Sequence, residues 1–335
     1  MPELPEVEIV ARRASQALSG RRIQAVSVVG FNALRSLDPP PGSLDGSVLT
    51  GVRRRGKLLL FDTDGDHLLL VHLMTGGGLT WKDAKVNLRD RAMRLVITFD
   101  DDGPALRARE RGTRQAMWVR AIRRADLLAG EVPELTKLGP EAWWPDGDEA
   151  VLAPDAGSVE TLAADEVAEG VPVAATIAAP PGDVDELAGR IAEALDAPRP
   201  LHSILRDQRV LAGVGRTWSD EILWAAQRSP YQRGADLTPE ERLAFVATIR
   251  DVLAEALAAY ESTVKAEPAE KLKKPVKVHG FVGEPCPSCG TTLRGVHFES
   301  YTIAYCPKEQ TGGRVLKDRR LSRLGIDDKV EADED

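Results

Sequence analysis

The chain changes its hydrophobic period partway along, and that change points to a fold with a strand-built part and a helix-built part. Before about residue 140, short β-leaning runs such as Val26-Ser-Val-Val, Lys57-Leu-Leu-Leu-Phe, His67-Leu-Leu-Leu-Val-His-Leu and Arg94-Leu-Val-Ile-Thr-Phe are separated by Gly, Pro and Asp turn signals. From Val184 the apolar residues fall at helical spacing: Leu187, Ile191 and Leu195, then Ile204 and Leu205, then Ile222, Leu223 and Trp224, then Leu243, Phe245, Val246, Ile249 and Leu253. Residues 145–183 between them are rich in Ala, Pro, Gly and acid and have no sustained apolar period, so they read as a flexible linker with little to bury. At 335 residues the chain is long enough for two domains with separate cores. The expected fold is therefore α+β and multidomain: an N-terminal helix with a β-sandwich, then a helical domain, then a cysteine-bearing β-hairpin.

The helix comes first. In Met1-Pro2-Glu3-Leu4-Pro5-Glu6-Val7-Glu8, Pro5 suits a first helical turn and so do Glu6 and Glu8, while Leu4, Val7, Val10, Ala11, Ala14 and Leu18 recur on one face. Helix-start chemistry accounts for Pro5 and the glutamates but leaves Pro2 and Glu3 unexplained. If Met1 is removed, Pro2 carries a free secondary amine with a reference pKa near about 8, partly neutral at pH 7. Such an amine attacks an aldehyde-like carbon to give an iminium ion. Glu3 stands beside it as a proton donor or acceptor.

The net charge of −8 argues against a polyanionic partner until its distribution is read. Residues 141–200 hold 14 acidic against 2 basic side chains, residues 327–335 hold 6 against 1, and the remaining chain is left at +9. A basic body with two acidic appendages is compatible with nucleic acid. The chain shows neither a run of 18 apolar residues nor a charged-then-apolar leader, so the expectation is a cytoplasmic protein with no membrane partner.

Two further motifs carry chemistry. Cys286-Pro-Ser-Cys289, followed after 16 residues by Cys306-Pro-Lys-Glu309, has the spacing of a zinc ribbon in which two turns hold one structural ion. Glu309 stands where a fourth cysteine is expected, and His297 is the other candidate for the fourth ligand; a hairpin without metal is the alternative. Asp207-Gln-Arg-Val-Leu-Ala-Gly213-Val-Gly215-Arg216 closes a two-glycine turn ahead of a helix. Its exposed amides, together with Arg216, suit a backbone phosphate; a tight turn in a helical core is the plainer reading.

In this order, the opening octapeptide, Arg53-Arg-Arg-Gly-Lys57, Asp207 to Glu221 and Gly283-Glu-Pro-Cys-Pro-Ser-Cys-Gly resemble the formamidopyrimidine-DNA glycosylase and endonuclease VIII family, the formamidopyrimidine branch more closely. The resemblance runs from Met1 to about Arg323, with the acidic stretch as an insertion. It implies a catalytic β-sandwich domain over 1–144, a linker over 145–183, a helix-two-turn-helix DNA-binding domain over 184–270, a zinc-finger-like hairpin over 271–323 and an acidic tail over 324–335. It implies further that Pro2 attacks C1′ of a damaged nucleotide with Glu3 as general acid or base, that Lys57 contacts DNA or the opened sugar, and that Glu6 lies near the lesion pocket. Met74, Arg109, Arg111 and Arg216 would contact DNA, and Cys286, Cys289, Cys306 and Glu309 would hold zinc. The implied activity is base-excision repair: removal of oxidised bases from duplex DNA by a monomer acting as glycosylase and AP lyase. Formamidopyrimidine and 8-oxoguanine are favoured; oxidised pyrimidines, or lesion binding without catalysis, are the alternatives. Besides Glu309 in the place of the fourth cysteine and the missing glycine usual before Met74, three more positions depart from the family pattern. Arg111 replaces an aromatic wedge, Arg216 an asparagine, and Tyr301 a DNA-contacting arginine.

Overall fold

The computed structural model describes residues 1–81, 90–111, 115–143, 184–298 and 301–317. The expected linker over 145–183 and tail over 324–335 lie outside the described residues. Helix α1 (Leu4–Leu18) opens the chain with Pro5 in its first turn and Glu6 accepting from the Glu3 N–H at 2.7 Å. Leu4, Val7, Val10, Ala11, Ala14 and Leu18 are all buried, as their spacing predicts. Glu6 and Glu8 are buried as well, which an acidic first turn on a surface helix would not require. Each is compensated: Glu8 pairs with Arg12 at 2.7 Å and Arg54 at 2.6 Å, and Glu6 belongs to the site described below.

Eight strands follow: β1 (Ile23–Val28), β2 (Leu49–Arg55), β3 (Leu58–Thr63), β4 (His67–His72), β5 (Gly77–Thr80), β6 (Met93–Phe99), β7 (Leu106–Glu110) and β8 (Trp118–Arg123). They form two antiparallel four-stranded sheets, ordered β1-β6-β7-β5 and β2-β3-β4-β8. Leu59, Phe61, Leu69 and Val71 of one sheet and Leu95, Ile97, Leu106 and Ala108 of the other join α1 in a single core. The opposite face of the second sheet is covered too. Leu58, Leu60, Leu68 and Leu70 pack with residues of the short helices α2 (Arg124–Leu128) and α3 (Pro133–Thr136).

The later helices are α4 (Val184–Leu195), α5 (Leu201–Arg206), α6 (Arg216–Ala225) and α7 (Pro239–Thr263), the last opened by a Thr238–Glu241 capping box. Although the length allows two separate cores, the apolar packing is continuous. The main apolar cluster runs through α1 into Ile204, Trp218, Ile222, Phe245, Ile249 and Tyr260, because α1 packs on β2 with one side and on α7 with another. A terminal hairpin, β9 (Arg294–Phe298) and β10 (Tyr301–Tyr305), leads into α8 (Pro307–Thr311).

Candidate active site

The first three residues are held by the two-glycine turn. The Leu4 N–H donates to the Gly213 carbonyl at 3.0 Å, and a Cβ on Gly213 would sit 2.7 Å from Leu4 Cδ1, so the chains meet closely enough to need glycine there. This approach carries Glu3 into the N-terminus of α6. Its carboxylate accepts from the amides of Gly215 (2.6 Å), Thr217 (3.0 Å) and Trp218 (3.3 Å). An anion at that position gains from unpaired amides and from the helix dipole together. Glu3 thus caps a helix more than 200 residues away while Pro2 beside it stays half-buried.

Glu6, one turn further on, accepts from Trp218 Nε1 (3.1 Å) and Tyr260 Oη (2.7 Å). Lys274 Nζ lies between the two glutamates, 3.2 Å from Glu3 and 3.3 Å from Glu6, and also donates to Thr217 Oγ1 at 2.9 Å. Burial alone would raise the Glu3 pKa, but Lys274, Lys57 and the Thr217 and Trp218 amides outweigh it and hold the group at about 2. Glu6 goes the other way: its burial, with the Glu3 charge nearby, raises its pKa against the pull of Lys274. Two carboxylates a few ångströms apart are therefore pushed toward different protonation states.

Lys57 occupies the two-residue turn between β2 and β3, where Gly56 at φ 57° takes the left-handed backbone that a tight hairpin needs. Its ammonium is buried, and burial pushes its pKa down to about 8; Glu3 opposes the shift while Lys274 and Arg206 add to it. Glu141 pins the turn from outside, accepting from Gly56 N–H and Arg55 at 2.5 Å each and from Arg54. The Met1 amine is lowered as well, first by burial and then by Lys274.

The structure brings Pro2, Glu3, Glu6 and Lys57 to one place, and adds Lys274, Trp218 and Tyr260, which the sequence reading missed. A signal existed for Lys274 in the basic run Lys271 to Lys277, but nothing in that run points back to residue 3. Met74, Arg109 and Arg111 form a second group. Met74 sits half-buried at φ 51°, its N–H donating to His72 Nδ1 at 2.9 Å, and the Arg111 N–H reaches Gly76 O at 3.0 Å. Arg109 pairs with Asp90 and Glu270 at 2.5 Å each, and Arg111 with Glu270 at 2.6 Å. The segment bearing Glu270 lies tight on β5, for a Cβ on Gly78 would be 2.0 Å from the Glu270 carbonyl oxygen. Arg216 is exposed at the start of α6, on the Glu3 side.

The Sγ atoms of Cys286, Cys289 and Cys306 lie within 4.8 Å of one another, which suits three corners of a tetrahedral zinc site. Among the described residues, neither Glu309 nor His297 belongs to that group. Glu309 accepts from Gln227 Nε2 at 2.6 Å, and His297 Nδ1 lies 3.0 Å from Thr302 Oγ1. The three thiols fit the metal, and in this arrangement neither Glu309 nor His297 stands with them.

Comparison with known proteins agrees with this geometry. The family model described as the formamidopyrimidine-DNA glycosylase N-terminal domain matches residues 1–116, and that of the formamidopyrimidine-DNA glycosylase H2TH domain matches residues 179–267. A formamidopyrimidine-DNA glycosylase of Rhizorhabdus wittichii is 30% identical over 92% of this chain and all of its own length. One of Moorella thermoacetica is 29% identical over 88% of this chain and 94% of its own. The solved complex of Lactococcus lactis Fpg with DNA containing an abasic site shares the fold, with a TM-score of 0.69 at 21% identity, covering 92% of this chain and 99% of that one. By sequence match and by fold, the chain belongs to the formamidopyrimidine-DNA glycosylase family.

Proposed function

We propose that this protein is a bifunctional DNA glycosylase and AP lyase that removes oxidised bases from duplex DNA, formamidopyrimidine and 8-oxoguanine first among them. The observation that carries the reading is the Glu3 carboxylate, ionised and locked between the α6 amides and Lys274 directly beside Pro2. Once Met1 is removed, the Pro2 nitrogen is a secondary amine in a pocket where burial and Lys274 already depress the pKa of the Met1 amine. A neutral amine forms a bond to C1′ as the bond from C1′ to the base breaks, and ring opening leaves an iminium. Loss of the C2′ proton then expels the 3′ phosphate, and a second elimination expels the 5′ phosphate. Glu3, at about 2, is ionised when the amine attacks, stabilises the cation that forms and is placed to take up a proton; Lys57, at about 8, carries a proton that it can give to the opening sugar oxygen. The damaged base must first leave the stack, which costs a few kcal/mol and costs least at a damaged pair.

Residues 1–144 form the catalytic domain and 184–270 the helix-two-turn-helix domain, joined by the 145–183 segment. Residues 271–323 form a finger holding one structural zinc through Cys286, Cys289 and Cys306, ahead of an acidic tail over 324–335. Met74, Arg109, Arg111 and Arg216 contact the duplex, and the protein acts as a cytoplasmic monomer. Among the described residues no helix is long and apolar enough to cross a membrane. Oxidised pyrimidines are the second reading, favoured by Arg111, a charged and exposed side chain in the place of an aromatic wedge. Borohydride trapping tests both. The protein, with Met1 removed, is incubated with duplexes carrying an AP site, 8-oxoguanine or thymine glycol. A covalent adduct that Pro2→Gly abolishes is the expected result; no adduct on any duplex, or an undiminished one in Pro2→Gly, overturns the assignment and leaves lesion binding without catalysis.

A further inference from the structure

Two of the arginines assigned to the duplex are already engaged within the free chain. Arg109 on β7 and Arg111 just beyond it reach one carboxylate, with Glu270 Oε1 2.5 Å from Arg109 Nη1 and Glu270 Oε2 2.6 Å from Arg111 Nε. Asp90 takes the other Arg109 nitrogen, Nη2, at 2.5 Å. Two cations face two anions, so this group carries no net charge. The Arg111 side chain is 69% exposed, and an exposed guanidinium gains little from an ion pair, so stability alone does not explain why one carboxylate bridges both arginines.

The seat for Glu270 is built into the sheet. Gly78 of β5 stands opposite Arg109 across the β5–β7 ladder, and a Cβ there would be 2.0 Å from the Glu270 carbonyl oxygen and 2.8 Å from its Cα. Only glycine lets the chain cross the sheet at that point. The crossing segment joins α7 to the cysteine hairpin and is held on both sides of Glu270: Pro268 is buried, and Leu272 packs against the main apolar cluster. Lys274, four residues on, is the lysine between Glu3 and Glu6. One segment therefore reaches both the arginines of the duplex face and the carboxylates beside Pro2.

We propose that Glu270 is a specificity-determining residue, an internal counter-ion that withholds Arg109 and Arg111 from duplex DNA unless the duplex offers an opened stack. An intact stack has no room for a guanidinium between its bases, so undamaged DNA gains too little to part Glu270 from its two partners. A site with an extruded or missing base presents a void, and the arginines exchange Glu270 for it. Discrimination then comes from denying contacts to the wrong duplex as well as from offering them to the right one.

The proposal rests on the glycosylase reading, and its test separates the two. Affinity is measured by fluorescence anisotropy across a salt series on an undamaged duplex and on one carrying a tetrahydrofuran abasic analogue, for the full chain, Glu270→Gln and Glu267→Gln. Glutamine keeps the shape of the side chain and removes its charge; Glu267→Gln removes the same charge three residues earlier on the same segment. Borohydride trapping on an AP-site duplex runs in parallel.

One cation freed for the duplex steepens the slope of log affinity against log salt by about 0.9, or about eightfold in affinity at 0.1 M salt. Glu270→Gln shows that change on the undamaged duplex, where Arg111 is released while Arg109 keeps Asp90. It leaves the slope on the tetrahydrofuran duplex unchanged, because the parent chain has already parted the pair there. Glu267→Gln shifts both duplexes alike. An unchanged slope for Glu270→Gln on undamaged DNA, an equal change on both duplexes, or the same pattern in Glu267→Gln overturns the proposal. If that happens while the parent forms an adduct, the role of Glu270 fails and the glycosylase stands. If the slopes part as stated but no adduct forms, the role of Glu270 stands and the glycosylase fails. A parent chain that binds neither duplex overturns both.

Discussion

Removing Glu141 should disturb both the fold and the site, because it pins the turn that presents Lys57. Its side chain is fully buried and accepts from Arg55 and from the Gly56 N–H at 2.5 Å each, and from Arg54. In Glu141→Ala, Arg54 keeps Glu8 at 2.6 Å, while Arg55 keeps only the Gly139 and Leu138 carbonyls at 2.6 and 3.4 Å. One buried pair is therefore broken outright, which costs about 3–5 kcal/mol, chiefly because the stranded charge stays desolvated. The orphaned Gly56 amide adds about 1 kcal/mol. Against a typical total of about 5–15 kcal/mol, a loss of about 4–6 leaves a chain close to its unfolding threshold.

Urea unfolding followed by tryptophan fluorescence at pH 7 measures this, with Glu134→Ala as the control. The Arg120–Glu134 pair has a similar length, 2.6 Å, but its side chains are about one-fifth exposed, so its loss should cost under about 1 kcal/mol. The Glu141 variant should also form less adduct per folded molecule, because the turn presenting Lys57 has lost its anchor. Equal shifts in the two variants, or an unshifted midpoint in Glu141→Ala, would sink the argument that this buried network organises the turn.

Gly215→Ala places a Cβ 2.4 Å from the Glu3 carboxyl carbon, so Glu3 must leave its amides; adduct formation should fall by about 100-fold or more while duplex affinity is largely kept, and an unaffected rate would show that the Glu3 position does not matter. Lys57 loses its proton as pH rises through about 8, so adduct formation in the parent should decline above that pH, and Lys57→Arg, which stays charged, should lack the decline. The same group affects stability with a fixed sign: its folded pKa lies below the ordinary 10.5, the unfolded chain binds more protons between about 8 and 10.5, and stability rises with pH across that window, an increase that Lys57→Met removes from the urea midpoints. Glu3, held at about 2 against an ordinary 4.5, contributes stability present above 4.5 and lost as pH falls toward 2. Metal analysis should find one zinc per chain, none in Cys289→Ser, and an undiminished content in Glu309→Ala, since that carboxylate is bonded to Gln227; loss of zinc in Glu309→Ala would make Glu309 a ligand after all.

Local chemistry was legible in the sequence wherever one residue type has one use. Pro5 and the helical spacing of Leu4 to Leu18 announced α1, and the apolar runs announced β1, β3, β4 and β6. Strands β2, β7 and β8 were harder because arginines interrupt them: Arg53 to Arg55, Arg107 and Arg109, Arg120 and Arg123. Their alternation becomes visible only once the acids that neutralise them, such as Asp62, Glu141 and Glu134, are brought across from other elements. The site divides in the same way. Pro2, Glu3, Glu6 and Lys57 could be named from motifs, whereas Lys274, Tyr260 and Arg206 matter through contacts across long stretches of chain, or across the turn, which no local pattern encodes. The length leaves room for separate cores, but the main apolar cluster is continuous, because α1 buries one side on β2 and another on α7.

Helix α6 explains why these distant pieces form one device. Its ten residues span about 15 Å, and nearly every turn is tied to a different part of the chain. Its first amides hold Glu3, and the Trp218 indole holds Glu6. The Asp220 carboxyl group lies 2.7 Å from His279 Nδ1 and accepts from the Ala304 N–H at 3.2 Å, and Glu221 accepts from the amides of Lys277, Val278 and His279 at 2.7–2.9 Å. At the far end the Trp224 indole reaches Cys286 Sγ at 3.4 Å. By fixing the backbone at Lys277, Glu221 also fixes where Lys274, three residues earlier, can reach, and that lysine closes the ion pair on Glu3. Each tie is a charged or polar group buried with its partner, so it tolerates little displacement. The cysteine hairpin, Lys274 and the carboxylate beside Pro2 are therefore all tied to one short helix, so that a displacement of that helix would be felt by all three.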